Sequence, residues 1–298
     1  MSILSRFFGK QEAESDSNLI LNDQIESPLS LQVLFSNSFA FNSSSFESKF
    51  RSYHPSLSEA KIELDEELKQ QGSLIGLIGW GEHVIQIVGF DHAMPAEAVE
   101  QCIAPSHYRQ DLKLQAKAHK SHIILYYKGY DDNPINQYAS MALVAGFLSY
   151  FGAIVVTNES ALTSFPTIAL NRDNVDGDIV ELIQSLPLLI LFCGIVKYKV
   201  DGIDGVWLRT YGAQLLGLPD MASLARDHSI SQSIFDIFSN VFGYLLNSGV
   251  KFSEGNTMQV GEDLFMKLRL PSREEYFLNG ENELFVVEFI TQSEINQC

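Results

Sequence analysis

His119 and His122 bracket Lys120–Ser121, and His92, His107 and the carboxylates Asp91, Glu97 and Glu100 lie within thirty residues of them. Imidazoles titrate near neutral pH, so such a set could move protons; two imidazoles aimed at one point with a further ligand could hold a metal ion. His92, Glu97, His119 and His122 are therefore the candidate catalytic residues, with His119 or His122 as general base. The spacing argues the other way. No HxxxH, HExxH or CxxC pattern occurs, so no metal ligands and no cofactor are expected. Histidines at helix ends and strand starts commonly bond nearby carbonyls, and that architectural role is the leading expectation for these.

Cys102 beside His107 or His92 could make a thiolate nucleophile and its base. Its neighbours Val99 and Ile103 place it on an apolar helix face, where burial raises a thiol pKa and leaves it inert. Asn171–Asp178 looks like a calcium loop, but with Gly177 at loop position six, Arg172 and Ile183 fall where carboxylates are required. The segment reads instead as an acidic turn capping a helix near Ile179. Phosphate loops are absent, as is a GxSxG elbow; Gly76, Gly79 and Gly81 are followed by a strand rather than a helix. The aromatics Trp80, Phe90, Tyr126 and Trp207 could instead line a dry ligand pocket.

The chain has 20 basic and 37 acidic residues, a formal charge of −17. That field repels phosphates and anionic membrane surfaces, so no nucleic-acid partner is expected. A basic protein partner fits it better. Asp131, Asp132, Asp173, Asp176 and Asp178 are the candidate partner-binding residues, with Glu274–Glu283 as a further acidic stretch. Three cysteines, Cys102, Cys193 and Cys298, are too few for a disulfide framework and suit a reducing cytoplasm. Residues 133–158 carry no charge, yet Asn136, Gln137, Ser140 and Ser149 interrupt the apolar run and Gly152 splits it. A buried helix over 135–151 followed by a strand over 153–157 explains it better than a membrane span.

Positioning these residues requires the following elements. Residues 1–27 read as a disordered or frayed polar tail. Leu29, Leu31, Val33 and Phe35 predict a strand. Asn42–Ser45 offers caps for a helix carrying Phe46, Phe50 and Tyr53. Ile62 and Leu64 predict an edge strand, and Gly81–Glu82 turns a hairpin between 75–80 and 84–90. A helical region over 95–120, broken near Pro105, leads into a strand over 122–128. In the second half, a buried strand over 188–199 pairs through Asp201–Gly205 with one over 205–211. An amphipathic helix spans 230–247 with Gly249 as its stop, and strands follow at 264–270 and 284–290. This order predicts an α+β fold of two ferredoxin-like (βαββαβ) halves in tandem, 28–132 and 133–298, with mostly antiparallel sheets covered by helices; the alternative is that the second half forms one compact unit with the first.

Four stretches resemble a bacterial family catalogued only as a domain of unknown function. They are Asp91–Pro95, the passage Ala118–Leu125, the Leu208–Pro219 turn and the segment Ser248–Thr257. The resemblance implies an α+β cytoplasmic protein and brings no activity, cofactor or catalytic residue with it. Families of this type include small binding and immunity proteins. The expectation is thus a non-enzymatic, acidic protein-binding module of immunity or adaptor type. The alternative is an enzyme or small-ligand protein using a cleft between the halves.

Overall fold

Leu31, Val33 and Phe35 alternate with Gln32 and Leu34 along β1 (Ser30–Phe35), and all five are buried. A strand buried on both faces must lie inside a sheet covered twice. In the computed structural model, which describes residues 19–38, 43–65, 73–280 and 282–295, β1 sits between β5 (Ser121–Tyr127) and β6 (Ala153–Asn158), antiparallel to both. The remaining strands of this sheet are β2 (Lys61–Leu64), β3 (Ser73–Trp80), β4 (His83–Phe90) and β7 (Thr163–Pro166), in the order β2-β3-β4-β5-β1-β6-β7.

Two helices, α2 (Ala96–Ile103) and α3 (Gln110–Lys117), bring Val99, Ile103 and Ala116 onto Leu34 and Val155. The uncharged helix α4 (Pro134–Leu148), capped by the Asn133 side chain, runs across β1, β5 and β6 and is buried from Tyr138 to Leu148. Among the described residues, no helix is long and apolar enough to cross a membrane. Phe147 anchors α1 (Ser43–Tyr53): its ring lies 5.0 Å from Phe46, 5.0 Å from Phe50 and 5.3 Å from Tyr53. Gly146 is required beside it, because a Cβ there would stand 2.1 Å from Leu170 O. A short helix, α5 (Ile179–Ser185), completes this unit.

The second sheet has the order β11-β12-β13-β10-β9-β8. Its strands are β8 (Gly194–Tyr198), β9 (Val206–Tyr211), β10 (Asp220–Ala225), β11 (Thr257–Gly261), β12 (Leu264–Arg269) and β13 (Leu284–Ile290). Its recorded pairings are antiparallel except for β10 with β13. The parallel pair needs a long crossover, and α6 (Ser231–Ser248) with β11 and β12 supplies it, burying Ile234, Phe238, Val241, Phe242 and Leu245. Gly249 ends α6 in the left-handed conformation at φ 67°.

The α+β class and the mostly antiparallel, helix-covered sheets are as expected. Three expectations are corrected. The strands form one seven-stranded and one six-stranded sheet, not tandem ferredoxin-like halves, because β6 adds to β1 rather than opening a second sheet. Among the described residues, one compact unit runs to Glu159 and takes in Ser164–Leu186, and the other joins Ser160–Thr163 to the chain from Pro187 onward, so the boundary falls near 187 rather than 133. Residues 19–27 are tied down, not frayed: Leu19 N donates to Glu63 Oε1, Asn22 N to Lys128 O, and Lys128 Nζ to Ile25 O. The tail through residue 18, Asn42 and Cys298 lie outside the described residues.

Candidate functional site

The β4–β5 register sets Phe90 opposite His122, so the Asp91–Pro95 turn leaving β4 passes over the turn that enters β5 from α3. This gathers three histidines. His122 stacks on Phe90 at 5.0 Å and meets the His92 ring at 5.5 Å. His119 lies beneath the same turn, accepting a 2.8 Å bond at Nε2 from Met94 N and bonding Ala116 O at 2.8 Å through Nδ1. An amide can only donate and a carbonyl only accept, which fixes His119 as the neutral Nδ1–H tautomer. His122 donates from Nδ1 to His92 O at 2.8 Å, so its Nε2 carries the lone pair. Burial pushes both imidazoles below the usual histidine range.

The structure therefore brings His92, His119 and His122 to one corner but turns their bonding toward backbone. Glu97, in the first turn of α2, is exposed. Cys102 is buried against Asn158 O and its thiol is pushed up to about 12 by desolvation; Cys193 is raised for the same reason. Among the described residues no three His, Cys, Asp or Glu side chains are placed to hold a metal ion. Of the four aromatics of the expected dry pocket, Trp80 packs on Phe50 and His83, Phe90 on the histidines, and Trp207 on Phe277.

Several acidic candidates shape their own neighbourhoods. Asp131 accepts from Asn133 N and Asn136 Nδ2 ahead of α4. Asp178 caps α5 through Val180 N and Glu181 N and pairs with His54 at 2.9 Å. Asp173 accepts from Tyr150 Oη just beyond the far end of α4. A 15-residue helix is about 22 Å long, so Asp131 and Asp173 do not share one patch. Asp132 and Asp176 are exposed.

A second gathering of polar groups lies on the other sheet and was missed in the sequence. Along β9, Trp207, Arg209 and Tyr211 share one face, with Tyr198 of β8 paired to Trp207. Phe277 roofs this face, 5.6 Å from Trp207 and 6.4 Å from Tyr198 by ring centroids. The Arg209 guanidinium lies 4.7 Å from the centre of Tyr211, and Nη1 reaches Phe277 O at 3.5 Å. Trp207 Nε1 and Arg209 Nε have no hydrogen-bond partner among the described residues, while the guanidinium interacts with the Tyr198 and Tyr211 hydroxyls. Nearby Asp220 is buried, accepting from Thr210 Oγ1 at 3.0 Å and Ala213 N at 3.3 Å, and burial pushes its carboxyl up to about 6. The available signal was an aromatic–Arg–aromatic alternation at i, i+2, i+4, which puts a cation between two rings on one strand face.

Residues 209–287, about a quarter of the chain, match a family model described as a domain of unknown function, DUF4261. The match takes in all but Leu208 of the 208–219 turn and the whole of Ser248–Thr257, and it leaves out the stretches at 91–95 and 118–125. It includes Arg209, Tyr211, Asp220 and Phe277. No curated protein and no solved structure matches the chain.

Proposed function

We propose that this chain is a non-catalytic binding protein, an adaptor or immunity-type module of the bacterial cytoplasm whose partner is a basic protein. The observation that carries the reading is His119. A general base must offer a lone pair to a substrate, and this imidazole has one nitrogen bonded to an amide and the other to a carbonyl. The charge of −17 supplies long-range attraction for a basic surface, and the exposed Asp132 and Asp176 are the contacts best placed to meet it. Asp131, Asp173 and Asp178 add to the overall negative charge while holding local structure.

The enzymatic alternative has one specific observation in its favour, the acceptor nitrogen of His122 next to the His92 ring. It would place a proton-transfer site at the histidine corner.

Affinity capture of the full chain from its native cytoplasm, analysed by mass spectrometry at low and high salt, separates the two. A stoichiometric basic protein released as salt rises supports the proposal, and Asp132→Asn with Asp176→Asn should weaken its retention. A co-purifying small molecule without a protein partner contradicts it.

A further inference from the structure

We propose that the Val88 face of β3–β4–β5 is a docking site for residues 3–8 of the same chain. The two sides of this sheet differ. On one, where Trp80 meets Phe50 of α1, Ile85 and Ile87 of β4 are 0% and 1% exposed, and their neighbours Ile78 and Leu125 are buried with them. On the other, Val88 stands between Ile75 and Ile124, and Phe90 and Tyr126 extend the same surface. All five are half-buried. An antiparallel sheet with one wetted face carries polar side chains on that face. This one carries aliphatic and aromatic residues, the mark of a surface built to be covered. On the same side, α2 and α3 pack at Leu34 and Val155, over β1 and β6.

The occupant follows from where the described chain begins. Leu19 N donates to Glu63 Oε1 at 2.7 Å, and Glu63 stands opposite Leu77 on the Val88 side. A Cβ on Gly79 would lie 2.3 Å from Leu19 Cδ2, so this glycine makes room for the Leu19 side chain on that face. Val84, opposite Gly79, is 6% exposed: the face is closed where Leu19 lies and half-buried farther along β4. The preceding residues, which lie outside the described ones, therefore depart from the rim of this face. Their sequence carries Ile3, Leu4, Phe7 and Phe8 with Arg6 and Lys10. Four apolar side chains complement the apolar surface, and two cations suit a chain of net charge −17. Reach is ample, since the chain from Phe8 to Leu19 can span up to about 35 Å. The face is about 10 Å across from β3 to β5 and about 20 Å along β4. This inference is independent of the protein-partner reading, since it rests on the packing of the first unit alone.

Paramagnetic relaxation in the full-length chain tests it. With Cys298→Ser, the remaining Cys102 and Cys193 are buried, so a nitroxide attached through Ser5→Cys labels one site. Isoleucine δ1-methyl signals are followed by NMR: Ile75 and Ile124 report the Val88 face, and Ile78, Ile85 and Ile87 the opposite one. The expected result is broadening of the first pair several-fold stronger than that of the other three, unchanged on dilution. Phe7→Ser with Phe8→Ser, judged folded by circular dichroism, should abolish the contrast. Equal broadening of both sets, or a contrast undiminished in the folded double variant, overturns the proposal. A contrast that fades on dilution places a second copy on the face and overturns it as well.

Discussion

At the histidine corner His119 closes both ring nitrogens onto backbone, whereas on the Arg209 face Trp207 Nε1 and Arg209 Nε close onto nothing among the described residues. Both places bury polar side chains at a strand pair. In the first, the groups are satisfied by the turn that crosses them, so they lock the Asp91–Pro95 segment to α3 and β5. In the second, a cation and an indole donor face an aromatic roof. The difference is one of bonding: residue types that usually signal chemistry bond backbone here, and a strand that reads as ordinary carries two donors without a partner among the described residues.

The comparison can be broken or sharpened by substitution. The largest effect is expected from Phe147→Ala, which empties the aromatic cluster shared with Phe46, Phe50 and Tyr53; it should cost about 3–5 kcal/mol, read from the denaturation transition reported by Trp80 in a Trp207→Phe background. Asp220→Asn sharpens the account of the second unit. The folded carboxyl titrates near 6 against 3.8 in its ordinary state, so the native chain holds the extra proton. Its contribution is complete below pH 3.8 and lost as pH rises through about 6, up to about 3 kcal/mol in all. The variant should therefore melt higher than the parent at pH 8, with the gap closing toward pH 4; an equal shift at both pH values would refute the assignment.

His119→Ala takes the acceptor from Met94 N–H and should cost about 1–3 kcal/mol in urea unfolding at pH 7.5. Burial lowers this imidazole's pKa, so the parent gains stability from its neutral form above the usual histidine range and loses it on acidification; the variant should show a shallower acid loss. Asp178→Ala removes the α5 cap and the His54 pair and should cost about 1 kcal/mol by the same assay.

Much of the first unit was legible in the sequence. Phe46, Phe50 and Tyr53 keep helical spacing, Gly81–Glu82 marks the hairpin, and the uncharged run beginning at Pro134 is a buried helix because every face of it meets apolar side chains. The failures have physical causes. The run 188–199 reads as one strand because continuous apolar sequence carries no period, yet Leu188–Leu191 makes a helical turn and only Gly194–Tyr198 pairs. β10 is hard to read because Asp220–Ala225 has no β-branched residue, and a strand buried on both faces over Asp220–Ser223 shows no alternation there. The histidine corner was legible as a set of residues, but their partners are backbone atoms of a turn, which no side-chain pattern records. Arg209 was passed over since a lone cation in a strand ordinarily faces solvent.

The central claim is that the histidines serve architecture rather than proton transfer, and the tautomeric state of His119 tests it most directly. Long-range proton–nitrogen NMR of the full chain with labelled histidine should show His119 as the neutral Nδ1–H form at pH 7, titrating below the usual imidazole range. An Nε2–H tautomer, or an imidazolium near neutral pH, would contradict the account.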